Sequence, residues 1–196
     1  MAKRTNGNAK VTERSKTVTT LLPMRNGMTD ANRKAVVALL NRQVADHYVL
    51  LTKTKFYHWN VEGPEFHDLH KLLDDHYEIL ADIVDDVAEQ CLKLGGQAAG
   101  TLAWFKSHTR LPEDEGENIP DTYTMIQNLL DGHETILENL HKDIKTTDDK
   151  HDDAVTSNLL QDVSDKHHKM AWMLRMILQK STLDSYAADV RGTPIS

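Results

Sequence analysis

Apolar residues recur along most of this chain every three or four positions, the spacing that lines one face of an α-helix. Four long stretches show it. In the first, Thr29 is an N-cap residue type and Asp30 an acidic first-turn residue. Val36, Val37, Leu39, Leu40, Val44, Tyr48 and Leu51 then form the stripe, and the helix should reach about Asn60 before Gly63-Pro64 breaks it. The second starts near Glu65, carries Phe66, Leu69, Leu72, Leu73, Tyr77, Leu80, Ile83, Val84, Val87 and Leu92, and stops at Gly95-Gly96. The third spans about 122–146 on Met125, Ile126, Leu129, Leu130, Ile136, Leu137, Leu140 and Ile144, with Thr146-Thr147-Asp148-Asp149 read as a turn. The fourth, from about Asp152 to Gln179, uses Val155, Leu159, Leu160, Val163, Met170, Met173, Leu174, Ile177 and Leu178. No stretch alternates with the two-residue period of a strand, and no 20–50-residue unit repeats.

Four such helices imply an all-α fold, a four-helix bundle. The long link at 96–120, with Trp104, Pro112, Pro120 and an acidic cluster, should hold one short extra helix. A single long crossover between helices 2 and 3 is the ferritin-like topology. Residues 21–180 are thus the bundle. Residues 1–20, rich in Thr, Asn, Lys and Arg, read as a flexible basic tail, and 181–196 as a loose C-terminal tail.

Composition narrows the class. With 39% hydrophobic and 27% charged residues the chain reads as soluble and globular. No apolar run approaches the roughly 20 residues of a membrane span, and the polar start lacks a secretory signal's apolar stretch. The single cysteine, Cys91, lies on an apolar stripe and reads as buried filler, in keeping with a reducing compartment. A cytoplasmic location is expected. The net charge of −7 is uneven: Lys3, Arg4, Lys10, Arg14 and Lys16 outweigh Glu13 in a basic arm, and everything after it is acidic.

The second helix concentrates ligand-type side chains. Taking His70 as zero, Asp74, Asp85 and Glu89 lie at about 40°, 60° and 100° around the axis, so all four share one side. His70/Asp74 and Asp85/Glu89 are each spaced i, i+4, close enough to grip one ion together. Along the axis, however, His70 and Glu89 are about 28 Å apart and Asp74 and Asp85 about 16 Å. Metal–ligand bonds are on the order of 2 Å, so one ion cannot join the two pairs within one helix. A second copy of the helix, antiparallel across a two-fold axis, would join them and complete two identical sites at once. The midpoint of 74 and 85 falls between Ile79 and Leu80, which places apolar packing at that axis. His58 and His70 stand six residues either side of Pro64, at matching heights of a tight hairpin, so His58 can reach the same ion. Imidazoles with carboxylates suit Fe(II), and few protein ligands leave positions open for an oxidant. A solvated acidic helix face remains the competing reading of the carboxylates.

Tyr57-His58-Trp59-Asn60-Val61-Glu62-Gly63, then Phe66, Leu69-His70, Asp74, Asp85, Ala88-Glu89 and Leu94-Gly95-Gly96, resemble the signature of the Dps proteins, ferritin-like miniferritins. Leu40-Asn41-Arg42-Gln43 fits as well, and the resemblance covers about residues 20–180. It implies that His58, His70 and Asp74 come from one subunit, and Asp85 and Glu89 from its two-fold mate. It also implies a hollow homo-oligomeric shell of twelve subunits, Fe(II) oxidation with hydrogen peroxide preferred, storage of ferric mineral, and protection of DNA. Some members hold zinc at this site, so the resemblance leaves iron or zinc as its ion. Trp59 resembles the family's tryptophan beside the site, with packing or redox roles both open. His67 and His76 lie on the ligand helix outside the signature; His67 stands near enough to modify the site or simply to face solvent.

The basic arm suits sequence-independent, salt-sensitive contact with DNA phosphates, multiplied by the copies in a shell. Such contact would associate the protein with the nucleoid; a solubilising tail is the other reading. Two further functions stay open. One is a nucleoid-compacting DNA binder with a structural metal site. The other is an intrachain di-iron bundle, for which Glu138-x-x-His141 and, loosely, Asp165-Lys166-His167-His168 are the available matches.

Overall fold

The computed structural model describes residues 20–113 and 116–191, with side chains to residue 179. The basic arm therefore lies outside the described residues, apart from Thr20. The chain folds into Asp30–Asn60 (α1), Phe66–Lys93 (α2), Leu102–His108 (α3), Thr122–Lys145 (α4) and Ala154–Arg191 (α5). Among the described residues there is no strand. α1 packs mainly on α2 and α4 on α5, and the two hairpins close on one shared core. α3 lies in the crossover and packs on α1.

Local chemistry sets the boundaries. Thr29 caps α1 by accepting the Asn32 amide at 3.1 Å. Gly63 turns the hairpin at φ 104°, a conformation that glycine adopts without Cβ strain. At the far end of α2, Gly95 has φ 78°, and a Cβ there would come within 2.9 Å of Arg33 Nη1. That guanidinium is buried because it finishes the helix: Nη1 donates to the Leu94 carbonyl at 2.9 Å and the Leu22 carbonyl at 3.1 Å, and Nη2 meets Asp30 at 2.7 Å. The crossover is held by Arg110, which pairs with buried Asp46 of α1 at 2.7 Å and with Asp143 of α4 at 3.0 Å. Cys91 is buried, and desolvation pushes its thiol up to about 12, so it is an unreactive core residue.

Three details depart from the sequence reading. Thr146–Lys150 is not a turn but a single π-helical turn continuing α4, and the chain reverses only at Asp152, with φ 53°. Its buried Thr147 hydroxyl donates to the Asp143 carbonyl at 2.7 Å, which holds the extra turn on the helix. The last helix begins at Ala154, after Asp153 caps it by accepting the Thr156 amide, and continues to Arg191, so the loose tail expected from 181 is helical over its first eleven residues. Ile79 and Leu80, expected to supply apolar packing at a two-fold axis, are instead taken up by their own chain's core, Ile79 in part. Leu80 is 0% exposed inside its own chain and Ile79 packs against the same core. Rotation about the helix axis turns Leu80 fully inward and Ile79 partly so. Glu78, Ala81 and Asp82 are the exposed residues near the midpoint.

Candidate metal centre

His58, in the last turn of α1, and His70, one turn into α2, are brought face to face across the hairpin. Their rings stack with centroids 3.8 Å apart and 22° between planes. Each Nδ1 lies 2.9 Å from the other residue's backbone carbonyl. A carbonyl can only accept, so both Nδ1 atoms carry the proton. Both Nε2 atoms are then left with a free lone pair while the rings are neutral. The Tyr77 ring meets His58 edge-on and Phe66 covers His70. The two imidazoles are oriented before any ion arrives.

Asp74 stands beside them, one turn beyond His70. A hydrogen bond from Tyr77 is the main influence lowering its carboxyl pKa, with smaller contributions from Lys71 and His58. The same bond raises the Tyr77 hydroxyl, and Lys55 sits over the Tyr77 ring at 4.3 Å. Asp74 is thus an ionised ligand type held in place by its own helix. Asp85 and Glu89 project from the same side of α2 but remain at its other end; both are exposed, and Glu89 meets only Lys93 at 3.2 Å. Among the described residues of one chain, no three His, Cys, Asp or Glu side chains surround a point where an ion could sit. The chain carries two imidazoles with one carboxylate at one end of a helix face, and two carboxylates at the other.

The other candidates separate. His67 is fully turned to solvent, 3.2 Å from Asp68, and touches neither His58 nor His70. Trp59 is 68% exposed beside His58. Glu138, His141, Asp165 and His168 are all exposed, so the intrachain di-iron matches point away from the bundle interior. The interior instead holds His47, His76, His133 and His167, one from each long helix and all buried. In the sequence, His47 and His133 carry no assigned role, His76 lies outside the signature, and His167 enters only through the loose di-iron match. A signal existed: each stands three or four residues from apolar stripe members on both sides, as His133 does between Leu129 and Ile136.

Residues 37–183 match the family model of the ferritin-like domain. An uncharacterized low temperature-induced protein of Nostoc sp. is 37% identical over 158 residues, 81% of this chain and 88% of the relative. DNA protection during starvation protein 2 of Bacillus anthracis is 34% identical, covering 75% of this chain and 99% of the relative. Among solved structures, DpsC from Streptomyces coelicolor superposes with a TM-score of 0.77 at 27% identity, covering 92% of this chain and 98% of the other.

Proposed function

Because the chain belongs to the Dps family of ferritin-like proteins, we propose that it oxidises Fe(II) at sites shared between two subunits and stores the ferric product in an oligomeric shell. The observation that carries this reading is the reciprocal tie of His58 and His70, which leaves two Nε2 lone pairs beside the Asp74 carboxylate. Three ligands of this kind hold Fe(II), the substrate, and leave positions for an oxidant. The partner subunit's Asp85 and the partner subunit's Glu89 complete the set, since this chain's own copies lie about 16 Å or more along the helix.

The surface of α2 supports the pairing. In an antiparallel two-fold arrangement that joins position 74 to position 85, position 70 meets 89 and position 67 meets 92. Leu92 and Phe66, 54% and 46% exposed on the single chain, then lie where each can be covered by the opposite end of the other helix. Trp59 stands at the same rim. The shell is expected to hold twelve subunits, and zinc to compete with iron for the same ligands.

Hydrogen peroxide is the expected oxidant. Two Fe(II) ions each give one electron, the O–O bond breaks, and two protons convert the oxygens into two waters. Spending peroxide in this two-electron step removes it without releasing hydroxyl radicals, which is how such a protein protects DNA. Lys3, Arg4, Lys10, Arg14 and Lys16 are the proposed phosphate contacts, and deleting residues 1–20 should abolish a salt-sensitive gel shift without slowing iron oxidation.

Mixed shells test the shared site. His58→Ala and Asp85→Ala shells should each fail to oxidise Fe(II) in stopped-flow absorbance. Shells assembled from both should recover part of the rate, because some interfaces then hold one intact half-set from each chain. No recovery in shells verified to be mixed would refute sharing.

A further inference from the structure

The centre of the bundle holds a second histidine constellation, unconnected with the shared site. His47 of α1, His76 of α2, His133 of α4 and His167 of α5 converge from four helices. Ring centroids lie 5.0 Å apart for His47–His167 and for His133–His167, and 6.0 Å for His76–His133. Five of their ring nitrogens are buried with no hydrogen-bond partner: Nε2 of all four and Nδ1 of His76. Buried polar atoms normally find partners, so a group of orphans in one place calls for an occupant.

We propose that these four imidazoles are an intrachain binding site for a borderline transition-metal ion, of which Zn(II) is the representative. Four nitrogens at tetrahedral Zn–N bonds would set the ring centroids about 5 Å apart; His47–His167 and His133–His167 already stand at that spacing, and His76 is 6.0 Å from His133. With the rings as they stand, no three ligand side chains among the described residues surround one point. The remaining adjustment is rotation about the side-chain torsions of histidine, whose terminal torsion is soft. His47 is nearly set: its Nδ1 donates to the Gln43 carbonyl at 2.6 Å, which turns Nε2 into the ligand atom. His133 and His167 share a proton between their Nδ1 atoms at 2.9 Å, a bond that an ion would replace. Burial keeps these rings neutral near pH 7, with lone pairs available.

The ligand set fixes the class of ion. No carboxylate is hydrogen-bonded to the cluster: Asp46, next to His47, is taken by Arg110 at 2.7 Å, and Asp75, next to His76, by Lys71. Oxygen-seeking Mg(II) and Ca(II) are disfavoured, and nitrogen-seeking Zn(II), Co(II) and Cu(II) favoured. A groove between α2 and α5, lined by Asp75, Asp82, Lys166, Lys169 and Met170, reaches His76 and gives the cluster a route to solvent. Once bound, the ion links all four long helices.

The test uses the full assembled chain carrying Asp85→Ala and Glu89→Ala, so that the shared site is crippled and its failure is separable. Metal is stripped with a chelator and Co(II) is titrated in. Tetrahedral Co(II) absorbs strongly in the visible, whereas an octahedral carboxylate-rich site absorbs weakly. The expected result is a strong band that saturates at one equivalent per chain, is bleached by Zn(II), and accompanies a rise in melting temperature. Adding His133→Leu should remove the band, and the milder His76→Gln should weaken Co(II) binding by at least about tenfold. Absence of a strong band in the Asp85→Ala, Glu89→Ala protein overturns the proposal. So does a band that survives His76→Gln unchanged, which also covers the case in which His133→Leu does not fold.

Discussion

Two groups of histidines in one bundle have opposite surroundings. At the hairpin, His58 and His70 have their Nδ1 protons placed by backbone carbonyls, an aspartate beside them and solvent within reach. In the core, His47, His76, His133 and His167 have mostly unpartnered nitrogens, no carboxylate of their own and no solvent. In the proposed function the hairpin pair is a half-site whose missing ligands are anionic and come from outside the chain. The core group is complete in number but neutral, so it suits an ion bound for stability and not for turnover. A histidine's chemistry here follows from what fixes its second nitrogen and from which charges share its dielectric.

The largest effect should come from the hairpin. His70→Ala removes a proposed ligand and also the carbonyl-bound ring that His58 stacks on. Fe(II) oxidation should fall by about 100-fold or more in stopped-flow absorbance, with the melting temperature nearly unchanged. A loss of stability matching the loss of rate would erase the contrast with the core.

The core should dominate the acid response. Desolvation lowers His47 from 6.5 to about 4, the Gln43 carbonyl and Asp46 opposing and Arg110 assisting, and it lowers His133 to about 3, helped by His76 and His47. Below pH 6.5 the unfolded chain therefore binds protons that the native chain refuses. This stabilisation is whole above pH 6.5 and is lost as pH falls toward 4, at roughly 1.4 kcal/mol per pH unit for each histidine. Metal-free melting temperatures should drop steeply between pH 6.5 and 4.5, and His133→Leu should flatten the curve.

A smaller effect of opposite sign is expected at neutral pH. Without metal, His133→Leu with His167→Leu replaces two orphaned polar rings by apolar side chains, and should raise the melting temperature by about 2–4 °C, the equivalent of roughly 1 kcal/mol. The same pair of changes should abolish any rise caused by Zn(II). A metal-free double variant that melts well below the parent would mean that the Nδ1–Nδ1 bond between these rings outweighs their orphaned nitrogens.

The smallest effect concerns Lys93, whose ammonium sits 3.2 Å from exposed Glu89. Lys93→Ala should change stability by no more than about 0.5 kcal/mol, measured by denaturant titration. It should slightly tighten Fe(II) binding, because the ammonium no longer competes for the carboxylate.

Much of this molecule is written locally. The 3.6-residue stripes, Thr29 and the Gly63 and Gly95 breaks marked the helices to within a few residues, except the end of α5, because helix periodicity and capping depend on near neighbours. The π-turn after α4 was misread because Thr146-Thr147-Asp148-Asp149 has turn composition, while the buried Thr147 hydroxyl bond that sustains the helix depends on packing. The shared face of His70, Asp74, Asp85 and Glu89, and its division into two distant pairs, followed from rotation and rise alone. The inward turn of Leu80 was available from the same rotation but was lost by treating the midpoint as a matter of distance.

Sequence by itself thus determined the four-helix architecture, the family resemblance and the face of α2 that carries the carboxylates. Tertiary structure alone decided which nitrogens are free. It set the proton on Nδ1 of His58 and His70 through carbonyls twelve residues away across the hairpin. It also gathered positions 47, 76, 133 and 167, which no local spacing connects. The physical reason is that helix formation is a matter of neighbours along the chain, whereas the environment of a buried imidazole is made by whatever the other helices bring against it.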